Sequence, residues 1–160
     1  MLFRSAHHGD VNETAGDGLM VIFQSEAGPA RHAQNAAATA FQLLAKVASL
    51  NGEFAGIYPA VAIHVGINSG PALVGATKLD AAGGGRWTFT ASGPTTNLAA
   101  RVAGLTKGGE VMVGPETAER IKEQYVLQDT GEHQLKNVSQ PVRVFRLVPP
   151  GVYAKVEHTV

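Results

Sequence analysis

Apolar residues alternate with polar or small residues in several parts of the chain, which is typical of strands that bury one face. The alternation is clearest in Ala60–Asn68, where valine or isoleucine occupies every second position from 61 to 67. Shorter strands are predicted at Val11–Ala15 and Leu19–Phe23, joined through a Gly-Asp-Gly turn. The C-terminal part adds predicted strands at 110–113, 125–129 and 142–147.

Helical periodicity, with apolar residues three and four positions apart, predicts three helices between these strands. The longest follows Gly28-Pro29 and carries an alanine-rich face to about Leu50. The second runs from Pro94 to about Leu105, because proline is well placed in the first turn of a helix. A short third helix is predicted at Pro115–Glu123. Helices and strands together indicate an α+β domain.

A β-arm is predicted at Ala76–Thr88, between the first and the second helix. Its centre, Leu79–Gly85, reads LDAAGGG, and a glycine-rich segment of this kind forms a flexible hairpin tip. The domain itself is expected to occupy residues 8–148, after a foreign or disordered leader at 1–7 and before a tail at 149–160 that follows the prolines.

The composition excludes several classes of function. The chain has 160 residues, which fits one domain, and its 13 basic and 13 acidic residues cancel. This balance provides no strong electrostatic footprint for nucleic acid or an anionic membrane. The absence of cysteine excludes disulfides, cysteine-zinc sites and thiol nucleophiles. Apolar runs are too short to span a membrane. We therefore expect a cytoplasmic domain, alone or within a larger membrane-linked signalling protein.

The Gly-Asp-Gly turn permits two interpretations. Asp-Gly is a strong hairpin marker, because glycine tolerates positive φ and aspartate bonds back to the backbone. A hairpin tip can equally hold a carboxylate rigidly for a divalent cation, since Mg²⁺ and Mn²⁺ prefer hard oxygen ligands. Asp17 is therefore either a plain turn residue or a metal ligand.

Three motifs that occur in a fixed order carry a family resemblance. The Gly-Asp-Gly hairpin, VGINSGPALVG and GPTTNLAAR resemble the catalytic domain of class III adenylate and guanylate cyclases, over roughly His8–Val148. These enzymes convert a nucleoside triphosphate into a 3′,5′-cyclic monophosphate and pyrophosphate. The resemblance implies a ferredoxin-like antiparallel or mixed sheet with helices on one face. It also implies ATP or GTP as the substrate and a head-to-tail homodimer.

The resemblance assigns roles to individual residues. Asp17 matches the second of two metal-binding aspartates, which together hold two Mg²⁺ or Mn²⁺ ions in the intact domain. Asn97 and Arg101 match the pair that positions the ribose and stabilises charge on the transferred phosphate. A guanidinium suits this task because it can bond two phosphate oxygens at once. Outside such a motif, an asparagine and an arginine four positions apart usually form a solvated helix face.

Two positions that read the base in this family disagree here. Glu13 favours GTP, because a carboxylate accepts hydrogen bonds from guanine, whereas the N1 of adenine is itself an acceptor. Thr90 matches a large bacterial group of adenylyl cyclases. Glu13 can also be an exposed strand residue without a role in base reading. The choice between ATP and GTP therefore stays open.

The remaining candidates are a lysine and three histidines. Lys136 falls near the basic position that contacts the triphosphate in some members of the family, although it can equally be a solvated hairpin residue. His64 is interpreted as structural. His7 and His8 are adjacent without a partner at metal-ligand spacing, so they are interpreted as surface residues.

The opening strand of the family, of the type F-x-D-[IM]-x-G-F, has no counterpart before His7. We therefore expect the chain to lack the family's first strand and first two helices, and expect no turnover by this fragment. In an intact dimer one subunit would supply the metal aspartates and the other subunit Glu13, Thr90, Asn97 and Arg101, with the arms clasping. The alternative is a degenerate nucleotide-binding or dimerisation module. A diguanylate cyclase is disfavoured, because no GGDEF-like turn is present.

Overall fold

The computed structural model describes residues 9–15, 17–24, 28–81 and 84–150. These residues form three helices, which are α1 (Pro29–Glu53), α2 (Pro94–Ala103) and α3 (Pro115–Ile121). The strands are β1 (Gly9–Ala15), β2 (Gly18–Phe23), β3 (Val65–Ile67), β4 (Leu73–Ala81), β5 (Gly84–Ser92), β6 (Val111–Val113), β7 (Leu127–His133) and β8 (Val142–Leu147). The predicted leader with His7, the adjoining His8 and nearly all of the predicted tail lie outside the described residues.

A four-stranded mixed sheet forms the centre of the fold, in the order β3-β6-β8-β7. Strand β3 runs parallel to β6, with Gly66 opposite Met112. Strand β8 is antiparallel to both β6 and β7, and a register shift interrupts the β7–β8 ladder between Asp129 and Glu132. The predicted α+β class with a mixed sheet is thus confirmed.

The helices cover both faces of this sheet. Helices α1 and α3 pack on one face against Val111, Val113 and Leu147. Helix α2 buries Val102 on the other face, against Met112 and Val144. The resemblance had implied helices on one face of the sheet, whereas the three described helices lie on both faces. The cause lies in β6, whose three residues are all buried and alternate between the two faces.

The alanine-rich face of α1 explains how a 25-residue helix approaches the sheet and α3 so closely. Its buried residues are Ala33, Ala36, Ala37, Thr39 and Ala40. Larger side chains, such as Phe41 beside Tyr125, remain at the edge, with the two ring centroids 6.2 Å apart. The predicted helix is confirmed and extends three residues beyond Leu50. None of the described helices is both long and apolar enough to cross a membrane.

Two hairpins lie outside the four-stranded sheet. Strands β1 and β2 form one, and β4 and β5 form the predicted arm, which is longer than Ala76–Thr88 because regular pairing runs from Leu73 opposite Ser92 to Ala81 opposite Gly84. Both sides of the predicted flexible tip, Leu79–Ala81 and Gly84–Gly85, are therefore paired strand, and residues 82–83 are outside the described part.

The strand predicted at Ala60–Asn68 is shorter than the alternation indicated. Only Val65–Ile67 pairs, because its partner β6 offers just three residues. Val61 is exposed instead and its backbone bonds the Asn51 amide, whose Nδ2 donates to the Val61 carbonyl at 2.7 Å. The strand predicted at 125–129 lies at 127–133.

A cleft of about 190 Å³ separates β2 from β3. Residues 20–23 of β2 and residues 66–67 of β3 line its sides, and Ala33 and Ala36 of α1 line it as well. Among the described strands, β2 pairs only with β1 and β3 pairs only with β6. The outer edges of both strands therefore face a space that no described strand fills.

Candidate functional site

Asn97 and Arg101 lie one turn apart on α2, and both side chains are exposed. The helix begins at Gly93, whose φ of 123° is a conformation that favours glycine. The Asn97 N–H donates to the Gly93 carbonyl at 3.1 Å and so starts the helical ladder. Arg101 lies in the last turn, where a positive charge is favourable for the helix dipole.

Helix α2 touches β3 backbone to backbone. A Cβ atom added at Gly66 would lie 2.2 Å from the Ala103 nitrogen and 2.5 Å from the Ala99 carbonyl oxygen. No side chain fits in that space, so glycine at position 66 sets the distance between helix and strand. The motif VGINSG is therefore what brings α2, and with it Asn97 and Arg101, onto the sheet.

Asp17 lies in the turn between β1 and β2 and is exposed. Ala15 pairs with Gly18, so the connection is a tight hairpin turn. The carboxylate is accessible and suits Mg²⁺ or Mn²⁺, which bind one or two carboxylates together with substrate phosphates. Within the described ranges no three histidine, aspartate or glutamate side chains are grouped to hold a metal ion. Asp17 can thus supply one carboxylate ligand to a divalent ion.

The two candidate base-reading residues lie on neighbouring strands. Glu13 pairs with Met20 across the β1–β2 hairpin, next to a register shift that follows Val11. Thr90 on β5 pairs with Gly75, and its side chain is half-buried. Strands β1 and β5 contact each other. The fold therefore brings the backbones that carry these two residues into one region of the molecule.

Lys136 is exposed on a turn between β7 and β8. The Val138 N–H donates to the Leu135 carbonyl at 3.1 Å, and Asn137 adopts a φ of 61°. Leu135 is buried and anchors this turn. The backbone of the turn that carries the lysine is therefore fixed. This placement is compatible both with a phosphate contact and with a solvated hairpin residue.

The His64 side chain forms hydrogen bonds with Thr106, in the loop that follows α2. Its Nδ1 lies 2.5 Å from Thr106 Oγ1 and 3.1 Å from the Thr106 carbonyl oxygen. Because the Thr106 hydroxyl donates to the Ala103 carbonyl at 3.0 Å, it accepts from His64, and Nδ1 carries the proton. These bonds agree with the structural interpretation of His64.

Sequence reasoning did not single out Asn68 and Thr95, although both lie inside quoted motifs. The Asn68 side chain donates from Nδ2 to the Thr95 carbonyl at 3.1 Å. An asparagine directly after a buried strand, followed by Ser-Gly-Pro, was the available sequence feature. Its partner lies 27 positions away, which no local pattern reveals.

A second cavity of about 290 Å³ lies where β6, β7 and β8 meet α1. Glu110 and Arg146 line it, with Arg146 Nη1 3.0 Å from Glu110 Oε1. The Arg146 hydrogen bond, together with the Lys107 N–H, lowers the pKa of Glu110 below its usual range. Arg146 also donates to Gln128. None of the predicted site residues lines this cavity, and its polar groups bond one another.

In sequence, the chain is similar to known nucleotide cyclases. Residues 3–148 match the family described as the adenylate and guanylate cyclase catalytic domain. Adenylate cyclase 1 of Rhizobium meliloti (strain 1021) is 25% identical in a 158-residue alignment that covers 97% of this chain and 23% of that protein. The chain thus spans about a quarter of the length of this relative.

The fold is similar to those of solved cyclases. The adenylyl cyclase CyaB from P. aeruginosa has a TM-score of 0.82 at 26% identity, covering 92% of this chain and 76% of that chain. The guanylate cyclase domain of RhGC from Catenaria anguillulae, solved with GTP, has a TM-score of 0.74 at 21% identity, with 92% and 76% covered. About a quarter of each solved chain therefore has no counterpart here.

Proposed function

Because the chain belongs to the adenylate and guanylate cyclase catalytic domain family, we propose that the full-length protein that contains it cyclises ATP or GTP to the 3′,5′-cyclic nucleotide and pyrophosphate. The observation that carries this proposal is the placement of Asn97 and Arg101. Both are exposed on one helix whose backbone is fixed against β3 at Gly66. A rigid support of this kind suits a reaction that depends on alignment and charge stabilisation.

In the proposed reaction the ribose 3′-oxygen attacks the α-phosphorus in line, and pyrophosphate leaves. The Arg101 guanidinium donates two hydrogen bonds to the phosphate whose charge grows in the transition state. The Asn97 amide holds the ribose, so that the attacking oxygen faces the phosphorus. Asp17 would hold a divalent ion, which would polarise the phosphate and lower the pKa of the attacking hydroxyl.

The site is proposed to form between two copies of the chain, arranged head to tail. Asp17 of one copy would face Asn97 and Arg101 of its partner. Exposed apolar residues on the strands near the hairpin and the arm support such an interface. They are Val11, Leu19 and Leu73, with 53%, 56% and 79% exposure. Exposed apolar side chains of this kind are common on surfaces that bind another protein.

A second candidate is a cyclase-homology module that binds a nucleotide or dimerises without turnover. The donor set favours it, because the described part of the chain groups no three metal-ligating side chains, and Asp17 is the one metal ligand that its motifs supply. Nucleotide binding without product in the full-length protein, with Mg²⁺ and with Mn²⁺, would select this candidate.

Mixing two inactive variants of the full-length protein tests the shared site. Asp17→Asn and Arg101→Ala should each lower kcat by about a hundredfold or more with either nucleotide. Their mixture should regain roughly a quarter of the wild-type rate with Mn²⁺, because half of the dimers are mixed and each has one intact site. Cyclic product from ATP and from GTP is measured separately, which also identifies the base.

The matched control mixes Asn97→Ala with Arg101→Ala. Both substitutions affect the same half of each site, so every dimer of this mixture has two defective sites and no activity should return. Recovery in the control, or none in the first mixture, contradicts the shared arrangement. The 160-residue chain assayed alone is expected to form no cyclic nucleotide.

A further inference from the structure

Helix α2 is attached to the segment that runs from His64 to Pro71 at three places. Its C-terminal half contacts Gly66 through backbone atoms of Ala99 and Ala103. Its C-terminal end continues to Thr106, which bonds His64. Its first turn is bonded by side chains, and these bonds lie closest to Asn97. The first turn therefore determines how the helix is rotated where the proposed site begins.

Two hydrogen bonds hold this first turn. Asn68 Nδ2 donates to the Thr95 carbonyl oxygen at 3.1 Å. The Thr95 hydroxyl donates in the opposite direction, to the Pro71 carbonyl oxygen at 2.5 Å. Because the two bonds use the main chain and the side chain of the same residue, they fix Thr95 against the loop that follows β3.

The Asn68 side chain is itself held in place. A Cβ atom at Gly114 would lie 2.2 Å from Asn68 Oδ1, so glycine at this position makes room for the amide. The Gly114 N–H donates to the Ile67 carbonyl at 2.9 Å and fixes the end of β6 beside the end of β3. With its oxygen directed to Gly114, the amide presents its nitrogen to Thr95.

The adjoining residue extends this network to α3. Ser69 Oγ lies 2.9 Å from Thr117 Oγ1, and Thr117 is fully buried. The loop after β3 is thus bonded to two helices, one on each face of the sheet. A loop bonded on both sides has little freedom to follow a movement of α2.

We propose that Asn68 and Thr95 are positioning residues for Asn97 and Arg101, an inference that rests on the proposed function. Neither residue contacts the nucleotide in this proposal; both hold the rotation of α2. Side-chain tips lie about 6 Å from a helix axis, so a rotation of roughly 10° moves them by about 1 Å. A displacement of about 1 Å in a reacting group can lower the rate by up to about a hundredfold.

The test compares Thr95→Val with Thr95→Ser in the full-length protein. Valine keeps the shape but loses the hydroxyl that donates to Pro71, whereas serine retains it. We expect Thr95→Val to lower kcat about tenfold with KM changed less than about twofold, and Thr95→Ser to keep the wild-type rate. Asn68→Asp, which loses the donor to Thr95 and keeps the size, should resemble Thr95→Val.

A combined variant separates positioning from loss of folded protein. If Thr95 acts through Asn97 and Arg101, Thr95→Val adds less than about twofold to the defect of a protein that carries both Asn97→Ala and Arg101→Ala, because the effects are not additive. Full additivity, or equal rates for valine and serine, overturns the proposal. If Arg101→Ala itself has the wild-type rate, the proposed function fails instead.

Discussion

The two halves of the proposed site differ in how the chain supports them. Asn97 and Arg101 stand on a helix that packs against β3 of the four-stranded sheet and is hydrogen-bonded to the loop that follows β3. Asp17 stands on a two-stranded hairpin whose strand β2 has only β1 as a partner among the described strands. A hairpin of two strands is marginally stable by itself. One half is therefore preorganised within the chain, and the other depends on contacts with further elements.

The largest expected effect concerns the packing of α2 on β3 at Gly66, which tests whether the helix half of the site is preorganised. We expect Gly66→Ala to destabilise the fold by about 3 kcal/mol, because its Cβ would overlap the backbone of α2. The matched control is Gly52→Ala in α1, where nothing lies within 4 Å of the added Cβ. It should stabilise by about 0.5–1 kcal/mol, since alanine favours a helix more than glycine.

Urea unfolding of both variants, followed by circular dichroism, measures the two effects. A Gly66→Ala protein as stable as the wild type would mean that α2 does not rest on β3. The stability of the β1–β2 hairpin should be the same in both variants, because Gly66 does not pair with this hairpin in the described structure.

Hydrogen exchange sharpens the comparison at the level of single amides. The Val65 N–H donates to the Glu110 carbonyl at 3.4 Å, and the Ile67 carbonyl accepts from Gly114. Since successive peptide groups point to opposite edges of a strand, the Gly66 N–H points away from β6. It should exchange at least about tenfold faster than the N–H of Met112, which lies in a strand paired on both sides.

The same experiment tests the edge of β2. Amides of β2 that point away from β1 should exchange as fast as that of Gly66, because both edges face the cleft. The family resemblance implies a further strand, and in the full-length protein these amides are expected to become protected together. Slow exchange at Gly66 in the 160-residue chain would show that this edge is already bonded.

Local patterns predicted the elements well and their partners poorly. The strand predicted at Val142–Leu147 has the same bounds as β8, and Pro94 marked the first residue of α2. The alternation in Ala60–Asn68 predicted too long a strand, because pairing is limited by a partner more than 40 positions away. The length of a strand depends on its partner strand, and the periodicity of one segment carries no information about that partner.

The site divides in the same way. The motif GPTTNLAAR identified Asn97 and Arg101, whose exposed placement on one helix agrees with the spacing. It gave no indication that Thr95 bonds Asn68 and Pro71, since these contacts depend on the approach of α2 to β3. Sequence motifs thus indicated the residues proposed to bind substrate, and the structure was needed for those that hold them.

The smallest expected effect on the free energy of unfolding concerns the Glu110–Arg146 ion pair of the four-stranded sheet. Because the pKa of Glu110 is lowered in the folded protein by Arg146 and by the Lys107 N–H, its charged form stabilises the fold above the usual pKa of 4.5. This contribution is lost as the pH falls through the lowered folded-state pKa. Glu110→Gln should cost less than about 1 kcal/mol at pH 7, since the pair is partly exposed, and progressively less as the pH falls through the folded-state pKa.

Urea unfolding of wild type and Glu110→Gln at a series of pH values measures this difference. High salt should reduce it further, because screening weakens exposed pairs. A difference that stays constant from acid to neutral pH would mean that Glu110 acts through its shape and its bond to Lys107 alone. In that case Glu110 stabilises the start of β6 through hydrogen bonds, as Asn68 and Thr95 stabilise α2. The charge of Glu110 then contributes nothing to the stability of the fold.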